Sequence, residues 1–299
     1  MIGHLFFYNR LLYFWYFWFF LKDLLRHKKT TNSNKITTAV CCIAKWEDDY
    51  IDEFVEHHLK LGFDKIIIYD NNDDFSLCKR YRESDKIITI PYKKKKFAQI
   101  KAYHDCMIRF RYKYDWIAII DVDEFLFIDC PNIKDFLSDF ADFTSVAINW
   151  DCYGAGGQIY KENKPLSERF TIPGEGDIKH FNSHYKSIVN THLFFKNRCF
   201  FPNPHQVHTR RKSKKQHCIV DDCKNSIVDS YIENPLYVRS RIKHYWSKSW
   251  EEYKAKVLRG RANTKINRSF YEFFTVNADL RDNPIILGEI EELEKLNNK

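Results

Sequence analysis

The strongest constraint on this chain is an alternation: short apolar runs rich in β-formers, each closed by acid, amide or basic residues, separated by segments with helical periodicity. Residues 37–44 (TTAVCCIA) read as a strand. Ile51, Phe54, Val55, His58 and Leu59 then recur at helical spacing, and Gly62 supplies the stop. Residues 65–69 (KIIIY) form a second strand, 86–90 a third, 97–114 a long helical segment, and 116–120 (WIAII) a fourth strand that runs straight into Asp121. Strand and helix alternating in this way predict an α/β fold with a largely parallel sheet flanked by helices, its ligands bound beyond the carboxyl ends of the strands. Lys45 and Glu47 follow the first strand, Asp70 and Asn71 the second, Asp121 and Asp123 the fourth, so polar groups gather along one edge. After Ile128 the pattern loosens. Residues 133–140 read as a helix, 146–150 as a strand, 151–157 as a glycine-containing loop, and 165–184 as a candidate mobile loop.

The N-terminus obeys different rules. Residues 5–25 are dense in aromatic and aliphatic side chains, but Asn9 and Arg10 interrupt them, leaving an uncharged run of 11 residues, 11–21. A helix needs roughly 20 apolar residues to cross a bilayer. Trp and Tyr favour the headgroup boundary, and Arg26, His27, Lys28 and Lys29 follow at once, so the segment predicts an interfacial helix on an anionic cytoplasmic leaflet, the alternative being a helix buried on the domain surface. No small-residue cleavage site follows the apolar part, which argues against a secretory signal. The expected organisation is a membrane-associating helix over 1–29, a polar linker over 30–36, one large domain over 37–280 and a helical tail over 281–299.

A net charge of +8, from 48 Lys and Arg against 40 Asp and Glu, favours anionic partners without choosing among them. Nine scattered cysteines, several inside apolar runs, point to reduced thiols in a cytosolic compartment. Cys199, His205, His208, His217, Cys218 and Cys223 match no paired zinc spacing. The basic runs 93–96 and 210–215 read as solvated faces rather than a nucleic-acid surface.

The chemistry lies in IIDVDEF. In extended chain, residues two apart share a side, so Asp121 and Asp123 can face one site at the strand end. Mn²⁺ and Mg²⁺ take oxygen ligands and bind through one or two carboxylates together with substrate phosphates. A buried strand ending in DxD therefore suits a cation on a diphosphate. Farther on, Ser249-Trp250-Glu251-Glu252 has the form of a capping box, which starts a helix near Trp250 and carries it to Arg261. Lys248 and Ser249 then sit at a helix N-terminus, where unpaired N–H groups favour a phosphate.

Three separated strings, CCIAKWEDDYIDEFVEHHLKLGFDKIIIYDNND, WIAIIDVDEFLFI and KHYWSKSWEEYKAKVLRGRA, occur in order over most of residues 38–280. Together they resemble the bacterial family-2-like and family-92-like glycosyltransferases. The resemblance implies a GT-A fold, a nucleotide-binding Rossmann-like mixed sheet flanked by helices. It implies a metal on a nucleotide-sugar diphosphate at Asp121 and Asp123, with His244 as the late histidine ligand and Glu47 and Asp70 holding the nucleotide. Inversion at the anomeric carbon, a glycan or glycolipid acceptor and a role in surface polysaccharide or lipopolysaccharide assembly are further implications. A carboxylate should deprotonate the attacking hydroxyl; Asp151 is the candidate, with Glu168, Glu175 and Asp177 competing.

Two other readings use the same residues. Four hydrophobic residues before DxD also open the site of haloacid-dehalogenase phosphotransferases, but those want Thr or Val where this chain has Phe125, on the first strand. A non-catalytic nucleic-acid-binding protein would use only the basic runs. Removal of residues 1–30 is expected to shift the protein from the membrane pellet to the soluble fraction; identical fractionation of both forms would deny that segment an attaching role.

Overall fold

The computed structural model describes residues 35–93, 97–176, 178–209, 218–228, 231–260 and 268–297. The N-terminal helix, nearly all of the linker, residues 94–96 and the basic run 210–215 lie outside them. Among the described residues no helix is long and apolar enough to cross a membrane.

Eleven strands are described: β1 (Thr38–Ala44), β2 (Lys65–Asp70), β3 (Ile87–Pro91), β4 (Trp116–Ile119), β5 (Glu124–Ile128), β6 (Ser145–Cys152), β7 (Tyr185–Asn190), β8 (Cys199–Phe200), β9 (His208–Thr209), β10 (Ile219–Val220) and β11 (Ser240–His244). Nine of them form one sheet, in the order β3-β2-β1-β4-β7-β6-β11-β5 with β10 beside β6. Its first half is parallel, with Ala39 opposite Lys65 and Thr38 opposite Trp116. Helices lie on both faces of this half. Val40, Cys42, Ile66 and Ala118 pack with Ile51 and Phe54 of the helix Ile51–Lys60, while Ala39, Cys41, Ile67 and Ile119 pack with Ala102, Tyr103 and Met107 of the helix Ala98–Phe110. Burial on both faces is why these strands read as unbroken apolar runs.

The mixed α/β sheet flanked by helices is as expected, but it is less parallel than the alternation predicts. β7 is antiparallel to both β4 and β6, and β11 is parallel to β6 and antiparallel to β5. A parallel connection needs a dozen or more residues. Only four residues separate Ile119 from Glu124, too few for a crossover helix, so the chain turns at once and resumes as β5 on the far edge. β7 and β11 carry mixed polar and apolar residues that announce no strand, and the apolar β5 follows β4 too closely for an α/β alternation to set it apart.

Gly62 ends the first helix as its position predicts. Its φ of +99° lies in the left-handed region, and a Cβ there would sit 3.1 Å from the Asn132 Cβ. The helix Trp250–Arg259 begins on the predicted Ser249/Glu252 capping box. The C-terminal helix Pro284–Asn297 buries Ile286 and Ile290 in the core.

Glu252 does more than cap. Its carboxylate accepts from Arg169 Nη1 and Nη2 at 3.0 and 2.6 Å and from Tyr50 Oη at 2.6 Å, joining three distant segments in the buried interior. Burial works against the charge, yet Arg169, Ser249 and Tyr50 outweigh it and hold the carboxyl at about 2. Arg169→Met leaves that charge unpaired, and denaturant unfolding at pH 7 is expected to show a loss of roughly 3–5 kcal/mol. Because the folded pKa is depressed, the wild-type contribution is complete above the ordinary value of 4.5 and is lost as pH falls toward 2. The deficit of the variant should shrink across that interval.

Candidate active site

Asp121, Val122 and Asp123 do not continue the strand. Glu124 N donates to Asp121 O at 3.1 Å and closes a turn, and Glu124 Oε2 accepts from Asp121 N at 2.8 Å. The two aspartates engage different partners, yet both line one cavity, as their spacing at the strand end predicts. Asp121 Oδ1 accepts from Gln99 Nε2 and Tyr103 Oη at 2.6 and 2.7 Å, and its Oδ2 from Lys186 Nζ at 2.7 Å. Asp123 Oδ2 accepts from Lys256 Nζ at 2.7 Å, and its Oδ1 lies 3.7 Å from His244 Nε2.

Burial would raise both aspartates, but Lys186 keeps Asp121 below the carboxylate range, and Lys256 with His244 keeps Asp123 well below it. Glu124 lacks a comparable partner and is pushed up to about 8 by burial and by the two aspartates. Lys186 is 1% exposed and also lies 3.5 Å from Glu124 Oε2. It sits on β7 where that strand passes beside the end of β4, Ser187 being paired with Ile119. Lys256 lies one turn after Glu252, on the helix face that the capping box turns inward, and burial lowers its ammonium to about 8.

Asp121, Asp123, His244 and Lys256 border a cavity of about 780 Å³, lined on its charged side also by Lys45, Glu47, Asn71 and Arg259, while Glu124 and Lys186 lie behind it. Of the residues singled out from the sequence, Glu47, Asn71, Asp121, Asp123 and His244 meet there. Asp70 does not: fully buried, it accepts from Asn72 N at 3.1 Å and Cys78 N at 2.9 Å and shapes the loop that presents Asn71. Lys248, at φ +57°, packs its ammonium 4.1 Å over the Tyr50 ring and 3.6 Å from Glu47, outside the cavity lining.

The helix N-terminus expected to hold a phosphate is already filled. Trp250 N and Glu251 N donate to the carbonyls of Gln158 and Ile159 at 3.3 and 2.9 Å, and Ser249 Oγ accepts from Glu252 N. The cations facing the cavity come from farther along that helix, at Lys256 and Arg259. Asp151 belongs to β6 itself rather than to the loop after it. Trp150 lines the cavity, so strand alternation turns Asp151 to the other face, where Arg241 pairs with it at 3.4 Å. Glu168 and Glu175 do not line the cavity either, and Asp177 lies outside the described residues.

The donors near His244 can be tested against a divalent cation. Two ligands on one Mg²⁺, at roughly 2.1 Å each, lie no more than about 4.2 Å apart. Asp123 Oδ1 at 3.7 Å and Glu124 Oε1 at 4.0 Å are each within that reach of His244 Nε2. Glu124 Oε1 is buried and accepts no hydrogen bond among the described residues. Burial lowers His244 to about 4, so the imidazole is neutral and offers a lone pair. Its Nδ1 lies 4.0 Å from Cys152 Sγ, leaving Nε2 for the cavity. The carboxylate oxygens suit Mn²⁺ or Mg²⁺, the imidazole suits the softer Mn²⁺ better than Mg²⁺, and the fit is pairwise, since no three of these acid and histidine donors lie within 4.8 Å of one another among the described residues. Asp121 also lines the cavity, its Oδ2 held by Lys186.

The sequence profile of glycosyltransferase family 92 matches residues 35–274. Family 92 proteins of Ricinus communis and Arabidopsis thaliana are 26% and 22% identical over 183 and 189 residues, 56% and 57% of this chain. The chain spans about a third of the length of these curated relatives, 31% and 32%. Among solved structures, S. aureus TarS in complex with UDP aligns with a TM-score of 0.37 and 15% identity, over 56% of this chain and 50% of that one. The Pyrobaculum calidifontis mannosyltransferase PcManGT in complex with GDP-Man and Mn²⁺ aligns with a TM-score of 0.34 and 11% identity, over 62% and 53%. With the profile covering most of its length, this chain belongs to glycosyltransferase family 92.

Proposed function

We propose that this chain transfers a sugar from a nucleoside-diphosphate sugar to an acceptor hydroxyl with inversion, using a divalent cation, Mn²⁺ or Mg²⁺. The observation that carries the reading is the acidic turn 121–124 meeting His244 at the wall of a cavity that also presents Lys256 and Arg259. Asp123 and His244 would hold the cation, with Glu124 Oε1 in reach. When bound, it would supply positive charge to the departing diphosphate.

The protein's own groups do the remainder. Lys256 and Arg259 place fixed positive charge beside the diphosphate, where a pre-oriented cation stabilises the leaving group without reorganising. Lys186 with Gln99 and Tyr103 locks Asp121 and so fixes the turn from behind. Arg259 holds Glu47 by an ion pair, which orients that carboxylate at the nucleotide end next to Asn71. Arg259 and Lys256 answer the need for cations that Lys248 and Ser249 were expected to meet. A glycan or glycolipid acceptor, work at the cytoplasmic face of an anionic membrane and a part in surface polysaccharide assembly complete the proposal, supported by the family and by the aromatic, basic-flanked N-terminal sequence.

Calorimetric titration of the full chain with UDP and with GDP, with and without Mn²⁺, tests the site. One nucleotide is expected to bind in a Mn²⁺-dependent manner, Asp123→Ala to abolish that dependence, and His244→Asn to weaken it by roughly tenfold or more. Undiminished Mn²⁺-dependent binding by Asp123→Ala would overturn the assignment.

A further inference from the structure

Beside His244, whose ring lies 4.2 Å from that of Trp150, the cavity is walled by further rings. Trp150 stacks on His184 with centroids 5.0 Å apart and planes 19° from parallel, and it meets His205 edge-on at 4.9 Å. His184 and His205 are 5.0 Å apart, and Tyr231 closes on His184 at 4.8 Å. Trp150, His184 and His205 all line the cavity.

Two features of this wall point to a ligand. Trp150 is 7% exposed, and its indole Nε1 finds no acceptor among the described residues; His205 Nδ1 is likewise buried and unpaired among them. Native interiors pair nearly all such groups. The second feature is a fixed tautomer. His184 Nδ1 lies 2.8 Å from His180 O and 3.2 Å from Phe181 O. A carbonyl only accepts, so the proton resides on Nδ1 and Nε2 keeps its lone pair.

We propose that this indole–imidazole wall is the subsite for the acceptor's sugar ring, and that His184 Nε2 is the general base for the attacking hydroxyl. The inference rests on the glycosyl-transfer reading above. A pyranose offers an apolar C–H face to stack on an aromatic ring and hydroxyls to pair with N–H and imidazole groups, which is the mixture this wall presents.

In the step, the acceptor oxygen bonds to the anomeric carbon as its proton passes to His184 Nε2. The bond from that carbon to the diphosphate oxygen breaks, its electron pair leaving with the diphosphate, and the imidazolium later returns the proton to solvent. The carboxylates of the cavity are poorer choices. Asp121, Asp123 and Glu47 are engaged by Lys186, Lys256 and Arg259, Glu272 accepts from Ser269 N at 3.2 Å, and Asp151 faces away. The groups around His184 are His180 and Lys186 from its own segment and His205 and Tyr231 from its neighbours. Burial, with His180 and Lys186, lowers its pKa, which keeps it unprotonated near neutrality.

The full chain with Mn²⁺ is given UDP-glucose, UDP-galactose or GDP-mannose, water standing in for the acceptor, and nucleoside diphosphate release is followed. Binding of UDP and GDP is measured in parallel. His184→Gln is expected to slow release by roughly a hundredfold or more at saturating donor while nucleotide affinity is unchanged. His184→Ala should be as slow and should regain rate with added imidazole, which a merely structural role would not allow. Release by His184→Gln at the wild-type rate, or an alanine variant that imidazole does not restore, overturns the base. A wild type that binds nucleotide but releases none from any donor also overturns it, whereas a wild type that binds neither nucleotide overturns the transfer reading itself.

Discussion

Two lysines inside the protein hold the acidic turn in place. Lys186 and Lys256 each lie 2.7 Å from one aspartate, Asp123 buried and Asp121 half-buried. Three carboxylates within four residues would repel one another in a buried setting, and Glu124, the one with the weakest countercharge, shows the consequence in its tendency to keep a proton. The strand order serves this arrangement. β7 enters between β4 and β6 and brings Lys186 to the end of β4, while β11 enters between β6 and β5 and brings His244 opposite Glu124.

Much of the parallel half was legible because its strands are buried on both faces and announce themselves as runs of Ile, Val and Ala. TTAVCCIA, KIIIY and WIAII fall within a residue or so of β1, β2 and β4, and the Ser249/Glu252 signature marks the helix start. The acids at the strand ends were legible for the same reason, although Asp121, after β4, stands at the opening while Asp70 at the end of β2 is fully buried. The position of the late histidine came through resemblance and not through any local pattern.

What the sequence hid was three-dimensional. Lys186 stands in HYKSIVN, where paired polar and paired apolar residues show no period, and only its place between β4 and β6 makes it an interior strand. The helix N-terminus at Trp250 looked open to a phosphate because nothing local shows that Gln158 and Ile159, ninety-odd positions earlier, supply its acceptors. Asp151 looked like a loop residue because β6 runs two residues farther than its apolar core; one residue of registry then separates a cavity-facing Trp150 from an outward Asp151.

The cavity has two chemically unlike sides, carried by different parts of the chain. Charges come from the turn at 121–124 and the helix Trp250–Arg259; rings come from β6, from residue 184 just before β7 and from the loop holding His205. Discrimination on one side works through charge count and on the other through the shape of a stacked surface. On the reading proposed above, this division marks where an engineer would alter one recognition surface, the rings, without touching the ionic framework of the other.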